Sequence, residues 1–254
     1  MLTKNQLQQR SKEYKINEYV VAREYFQLLL LKELYSKNFS EEIFFKGGTC
    51  IRLIYGGSRF SGDLDFTVEI EEREFEEEIQ KFFKEMVKKY PITFKEKDTI
   101  AGKTYLVTVK TDFLKQKVYI KLDFSFREKV IKPSKEIIKD NKYPIIFKGF
   151  IYCLSIDEIL AEKIRALLNR EKSRDIYDIW MLLELGAEFK KDMIEKKLKY
   201  YDKEYKTEEV IKRIEDQSKD EFENELRAFV PTNERDKLGE LLEYIKEYII
   251  QLLT

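Results

Sequence analysis

The chain has 254 residues, enough for one large domain or two modest ones, and its hydrophobic fraction of 43% predicts a folded protein. Its 48 basic and 48 acidic residues balance, which argues against a uniformly basic nucleic-acid-binding coat but leaves room for a local basic face. The sequence contains no histidine, which excludes Ser-His-Asp catalysis, imidazole zinc sites and a histidine general base. Any metal must therefore be held by carboxylates, which favours Mg²⁺ or Mn²⁺.

Cysteine content and hydropathy indicate the compartment. Cys50 and Cys153 are too few for a disulfide framework and are expected to be buried thiols in a reducing environment. No run approaches 18 apolar residues, and the N-terminus lacks a signal-like apolar core. We therefore expect a cytoplasmic protein without a membrane partner.

The first part of the chain mixes helical and strand patterns. Helices are predicted over residues 2–14, 17–35, 49–55 and 71–90, and strands over residues 43–45, 64–70, 92–96, 105–110, 118–126, 144–147 and 152–154. Asn17 is the expected cap of the second helix, and Pro91 should end the fourth.

The pattern from Ser155 onward is entirely helical. Six helices are predicted, over residues 155–169, 174–185, 192–200, 207–217, 221–229 and 234–253, and Ser155 with Glu158 forms a capping box at the first. This change of pattern predicts an α/β (α+β) fold, with a mixed sheet and flanking helices in residues 1–150 and a helical domain in residues 151–254.

A glycine-rich turn lies between the strand at 43–45 and the helix at 49–55. Gly47, Gly48 and Thr49 would let the backbone approach a phosphate, and the helix N-terminus would offer free N–H groups. A strand-to-helix turn also requires glycine for steric reasons, so this motif alone is a weak signal.

Three aspartates on predicted strands are candidate metal ligands. Asp63 and Asp65 project to the same side of a strand, their side chains roughly 7 Å apart at the root. The alternative is a pair of solvated acids, but their apolar neighbours suggest a buried segment, where unpaired like charges are costly. Asp123 is a third acid, sharing a strand face with Lys121. Three carboxylates can hold two ions that assist in-line phosphoryl displacement.

Four motifs occur in order along the chain: residues 46–49 (KGGT), 59–66 (RFSGDLDF), 161–167 (AEKIRAL) and 174–179 (RDIYDI). Together they resemble the AbiEii family of nucleotidyltransferase toxins, within the polymerase-β-like superfamily, over about residues 17–185. The resemblance implies a nucleotidyltransferase fold and metal-dependent transfer of nucleotides from NTP. Characterised relatives are toxins with a separate antitoxin, and some add nucleotides to the 3′ acceptor end of tRNA. Thr49 stands where relatives often have serine, and the spacing from it to Asp63 is long for the superfamily.

The resemblance also implies residue roles. Asp63 and Asp65 would bind metal, Lys163 the triphosphate, and either Asp175 or Asp178 would be a further catalytic aspartate. Lys163 lies within the apolar stripe of its helix, so it either extends to the rim or points into a cleft, and the motif favours the cleft.

Arg59, just before the acid pair, either holds phosphate or neutralises Asp63, and a structural ion pair of Asp175 with Arg174 is the alternative to catalysis. The helical domain is expected to complete the active-site cleft. The predicted catalytic residues are Asp63, Asp65, Asp123, Lys163, Asp175 and Asp178, of which the first three are the metal ligands; the predicted nucleotide-binding residues are Gly47, Gly48, Thr49, Arg59 and Lys163.

The acceptor is the least defined part of the prediction. Basic and aromatic residues that could contact RNA cluster in the helical domain, among interspersed acids that equally suit a solvated surface: Lys190, Lys191, Lys196, Lys197, Lys199, Tyr200, Tyr201 and Tyr205. We predict transfer of NMP from NTP to RNA, with the tRNA 3′ end preferred. The alternatives are nucleotidylation of a protein hydroxyl, a non-catalytic NTP-binding regulator of the same fold, and a metal-dependent nuclease.

Overall fold

The computed structural model of the protein describes residues 2–97, 99, 102–138 and 142–254. In chain order its elements are α1 (Lys4–Tyr14), α2 (Glu18–Leu34), β1 (Ile43–Lys46), α3 (Gly47–Leu53), β2 (Leu64–Val68), α4 (Glu72–Lys89), β3 (Ile92–Lys97), β4 (Lys103–Val109), β5 (Val118–Ser125), β6 (Pro133–Glu136), β7 (Ile151–Leu154), α5 (Ile156–Asn169), α6 (Ser173–Glu184), α7 (Lys191–Lys199), α8 (Thr207–Glu215), α9 (Lys219–Leu226) and α10 (Leu238–Leu253), with 3₁₀ turns at Asn38–Glu42 and Arg235–Lys237.

The chain divides into two compact units. The first consists of Met1–Ile54 and Phe60–Leu154, and the second of Tyr55–Arg59 and Ser155–Thr254. Every strand belongs to the first unit, while residues 155–254 form helices and turns. This is the predicted mixed sheet with flanking helices, followed by an all-helical region.

The sheet has seven strands in the order β3-β4-β5-β2-β1-β7-β6. β2 pairs with β5 and β1 with β7 in parallel, whereas the other neighbours are antiparallel. Because alternate side chains point to opposite faces, Leu64, Phe66 and Val68 are buried on one face of β2, as predicted. Phe66 stacks on Phe124 of β5 with ring centroids 4.8 Å apart.

Helix α4 covers this aromatic layer. Its apolar residues recur at helical spacing and are all buried, as predicted: Phe75, Ile79, Phe82, Phe83 and Met86. The ring of Phe75 lies 4.8 Å from that of Phe124, so the helix and the sheet share one core.

Helix α2 is buried on nearly every side. Asn17 caps it by accepting a hydrogen bond from the backbone N–H of Tyr19, as predicted. Polar Glu24 and Gln27 are buried along with its apolar residues. A helix apolar around most of its circumference belongs inside a large domain, which matches this position.

One predicted strand is absent, and one observed strand was not predicted. Residues 144–147 form no strand; Ile145 is buried, but Ile146 is 76% exposed, so the apolar run packs a single side chain without entering a ladder. The segment Pro133–Glu136 instead forms the edge strand β6, paired with β7. Its sequence lacks apolar alternation, and its proline is at the first strand position, where a missing donor is tolerated.

The helical unit contains the six predicted helices, and the largest shift of a boundary is at the start of the last one. Ser155 caps α5 by accepting from the backbone N–H of Glu158, while the carboxylate of Glu158 binds Lys197. The last helix begins at Leu238 instead of at residue 234, because Arg235–Lys237 form a 3₁₀ turn. Both cysteines are buried and form no disulfide with each other, as expected. Across the described residues, no helix combines the length and apolarity needed to cross a membrane.

Candidate active site

A row of polar residues crosses four neighbouring strands of the sheet. Asp65 on β2 is in register with Asp123 on β5 and with Lys46 on β1, and Asp123 is also in register with Thr104 on β4. Neighbouring strands lie about 4.8 Å apart, so the register sets the two predicted metal ligands side by side.

The acid pair differs in burial. Asp63 precedes the first residue of β2 and is exposed, whereas Asp65 lies within the strand and is half-buried. The expected cost of burying like charges therefore applies to Asp65 and not to Asp63.

The Gly-Gly-Thr motif lies directly against this acid pair. Gly47 has a φ of 78°, and a Cβ atom there would be 2.3 Å from Oδ2 of Asp65, so only glycine leaves room for that carboxylate. The buried hydroxyl of Thr49 donates to the backbone carbonyl of Asp63. Gly47 and Gly48 form the first turn of α3 and do not precede it as expected. Whether the motif also binds phosphate stays a prediction.

Both oxygens of Asp123 have protein partners. Oδ1 accepts a hydrogen bond from the Thr104 hydroxyl at 2.5 Å, and Oδ2 lies 2.5 Å from Nζ of Lys121. Burial alone would lower the pKa of Lys121, but the Asp123 carboxylate, helped by the charges of Asp63 and Asp65, raises it. One ammonium group therefore experiences the field of all three acids.

The chemistry of these side chains suits a divalent cation. Carboxylate oxygens are the preferred ligands of Mg²⁺, and the Lys121 ammonium shows where their negative charge attracts a cation. Among the residues that the structure describes, no three acidic or thiol groups are gathered as ligands of one ion. The metal role of Asp63, Asp65 and Asp123 stays a prediction.

A second cluster of predicted residues lies within the helical unit. Nζ of Lys163 on α5 is 3.0 Å from Oδ1 of Asp175 and 2.7 Å from Oδ2 of Asp178, both on α6. Asp178 also accepts two hydrogen bonds of 2.6 Å from Arg59, and Asp175 accepts from Arg170 at 2.8 and 3.1 Å. Lys163, Arg59, Asp175 and Asp178 are buried, so two cations balance two carboxylates inside the network, whereas the Arg170 side chain is 56% exposed.

The ion pairs of this cluster overcome the effect of burial. Burial alone would raise the pKa of Asp175 and Asp178, but Lys163 and Arg170 lower that of Asp175, and Arg59 and Lys163 lower that of Asp178. Burial alone would lower the pKa of Lys163, yet the two aspartates raise it. All members therefore remain charged near neutral pH.

These contacts refine three of the predictions. Lys163 does not extend to a solvent-exposed rim, since its ammonium is held by the two aspartates. Arg59 pairs with Asp178 instead of Asp63. Asp175 pairs with Lys163 and with Arg170, the second of which sequence reasoning missed, whereas Arg174 lies 3.9 Å from Glu225. The only available signal was the proximity of Arg170 to the 174–179 motif.

The predicted basic face is largely neutralised by acids. Lys197 is wholly buried between Glu158 and Glu162, with Nζ–O distances of 2.7 and 3.1 Å. Lys190 binds Asp157 at 2.7 Å. Lys190 is therefore a paired surface lysine, whereas Lys197 lies inside the helical unit and is not part of a basic face.

A mixed sheet flanked by helices, with Asp65 and Asp123 side by side on neighbouring strands, fits the nucleotidyltransferase class that the sequence motifs predict. The family model described as the nucleotidyl transferase AbiEii toxin of type IV toxin–antitoxin systems matches residues 29–244. The chain belongs to this AbiEii family of nucleotidyltransferase toxins.

Two solved structures share the fold. MenT4, a nucleotidyltransferase toxin of Mycobacterium tuberculosis H37Rv, superposes with a TM-score of 0.69 at 15% identity, covering 96% of this chain and 90% of that one. JHP933 from Helicobacter pylori gives a TM-score of 0.53 at 18% identity, with 94% of each chain covered. No curated protein matches the sequence.

Proposed function

We propose that the protein is a metal-dependent nucleotidyltransferase that transfers NMP from NTP to an RNA acceptor, with the 3′ end of tRNA preferred. In this proposal it is a cytoplasmic toxin restrained by a separate antitoxin. The observation that supports catalysis is the register that sets Asp65 beside Asp123, with the Asp63 backbone held by Thr49.

In the proposed mechanism Asp63, Asp65 and Asp123 hold Mg²⁺ or Mn²⁺. A bound ion would supply positive charge to the phosphates and lower the pKa of the attacking hydroxyl. Gly47 and Thr49 keep the acid pair in place, because one leaves room for a carboxylate and the other fixes a backbone carbonyl. Such positioning matters, since a displacement of 1 Å can cost about 100-fold in rate.

We propose that Lys163 binds the NTP triphosphate. The support is that its buried ammonium is kept charged by Asp175 and Asp178, and a charged ammonium is the group that would contact a phosphate. Asp178 neutralises Arg59 through both of its oxygens, while Asp175 is held by Arg170. Either aspartate remains a candidate for the further catalytic role.

A protein hydroxyl is the second candidate acceptor. The pairing of Lys190 with Asp157 and of Lys197 with Glu158 removes part of the positive surface that would attract RNA. The proposal of an RNA acceptor therefore depends on the resemblance to relatives that modify tRNA.

The test is incubation with each labelled NTP, Mg²⁺ or Mn²⁺, total RNA and cell protein. Wild type should label RNA, and Asp65→Asn should not. The matched control is Asp112→Asn, which removes the same charge from an exposed aspartate and should label RNA normally. Label that appears only on protein would support a protein hydroxyl as the acceptor. If neither RNA nor protein is labelled, the proposed nucleotidyltransferase activity is overturned.

A further inference from the structure

Lys121 is a lysine on the acid-bearing face of β5. Along this strand Val118, Ile120, Leu122 and Phe124 are buried, while the alternate residues point to the accessible face. Lys121 therefore projects to the same side as Asp123. The strands β2 and β5 are parallel, and Leu64 is in register with Leu122. Asp63 and Lys121 each come one residue earlier, so they lie at corresponding positions of the two chain segments.

The contacts of Lys121 are those of a counter-ion. Its Nζ lies 2.5 Å from Oδ2 of Asp123, whose other oxygen accepts from Thr104. The charges of Asp63 and Asp65 also attract it. The ammonium is thus bound to one predicted metal ligand and feels the charge of the other two.

Lys121 can leave this place more easily than a buried lysine could. Its side chain remains 40% exposed, and a lysine head on a flexible four-carbon stem can move into water. Thr104 can keep its hydrogen bond to Oδ1 while Oδ2 changes partner, because the two donors bind different oxygens.

We propose that Lys121 is a built-in competitor of the divalent ion: it neutralises Asp123 in the metal-free protein, is displaced when the ion binds, and thereby sets the metal affinity. The inference rests on the proposed function, because it takes Asp63, Asp65 and Asp123 as the ligands. In this inference the acid site contains one residue, Lys121, that lowers its affinity for divalent cations.

The test is a titration of the metal-free protein with Mn²⁺, without NTP, in which electron paramagnetic resonance measures the free ion. Lys121→Met should tighten the apparent Kd by about tenfold or more, since it removes a positive charge in contact with a ligand. Lys117→Met is the matched control: this exposed lysine immediately precedes β5, four residues before Lys121, and its replacement should change the Kd less than twofold.

Several outcomes would overturn the inference. If Lys121→Met binds Mn²⁺ no more tightly than wild type does, the role of Lys121 is overturned. If Asp65→Asn abolishes wild-type binding in the same experiment, the proposed metal site itself still stands. Absence of Mn²⁺ binding in both wild type and Lys121→Met would overturn it together with the metal-dependent mechanism. Lys121→Gln, which also removes the charge, replaces the methionine variant if thermal melting shows that the latter does not fold.

Discussion

Arg59 and Asp178 form a bidentate ion pair, with two hydrogen bonds of 2.6 Å, although 119 residues separate them in sequence. Both side chains are almost fully buried. The pair fixes the short segment Tyr55–Arg59 within the helical unit, immediately before the motif that carries Asp63 and Asp65.

Removing one partner of this pair should strongly destabilise the protein. Arg59→Met leaves the Asp178 charge buried with only Lys163 to compensate it, and we expect a loss of about 3–5 kcal/mol in the free energy of unfolding. Urea denaturation measures this loss. The control is Arg73→Met, whose partner Glu77 is exposed, and it should change stability by less than about 1 kcal/mol. Equal small losses in both variants would contradict a structural role for the pair.

Acid should weaken the same network. The pKa values of Asp175 and Asp178 are lowered in the folded state, so their contribution is complete above the unfolded value of about 3.9 and is lost as the pH falls through the folded values. We expect the unfolding free energy to decline below about pH 4 and this decline to be shallower in Asp175→Asn. An acid slope equal to that of wild type would show that the aspartate does not contribute.

High pH should destabilise the protein through Lys163. Its pKa is raised in the folded state, so its contribution is complete below the unfolded value of about 10.4 and is lost as the pH rises through the folded one. The unfolding free energy of wild type should therefore fall at high pH more steeply than that of Lys163→Met. Parallel curves would contradict this expectation.

A methyl group at Gly47 should displace the Asp65 carboxylate. Gly47→Ala places Cβ 2.3 Å from Oδ2, and we expect nucleotide transfer to fall about 100-fold. Gly56→Ala separates this effect from backbone strain, because Gly56 also has a positive φ, of 86°, but nothing lies within 4 Å of its added Cβ. The melting temperature should fall by a similar amount in both variants, whereas nucleotide transfer should fall only in Gly47→Ala. A similar loss of activity in the two would attribute the effect to strain alone.

Thr49 should act through its hydroxyl. Thr49→Val leaves the Asp63 carbonyl without its donor and should cost about 1–3 kcal/mol of stability along with much of the transfer activity. Thr49→Ser keeps the hydroxyl and should restore most of both. Denaturation and transfer assays on the two variants check this, and a serine variant as impaired as the valine one would exclude the hydrogen bond as the cause.

Local patterns predicted most of the fold, because they depend on neighbours in sequence. The apolar stripe of α4 and the alternation of β2 are each visible within one element, and the structure confirms them. The edge strand β6 was missed because its residues show no apolar alternation, and only its pairing with β7 identifies it as a strand. The strand expected at residues 144–147 was wrong because a short apolar run does not reveal whether a ladder partner exists.

The candidate site depended more on non-local geometry. The acid motifs were recognisable in sequence, but only the strand order sets Asp65 beside Asp123, since β2 and β5 are neighbours in the sheet and not in the chain. In the same way, no local spacing could assign Arg59 to Asp178 or reveal Arg170 as the partner of Asp175. The shared strand face of Lys121 and Asp123 followed from their spacing, but the salt bridge between them needed side-chain positions.

The most direct measurement is transfer of label from NTP by Asp123→Asn, at equal folded protein and saturating Mg²⁺. Asp123 comes from a different strand than the acid pair, so its effect tests the register that sets it beside Asp65. We expect transfer to fall at least about 100-fold, as when a metal-assisted step loses a ligand, with the Asp112→Asn control unaffected. Transfer by Asp123→Asn at the wild-type rate would show that this row of aspartates is not the catalytic centre.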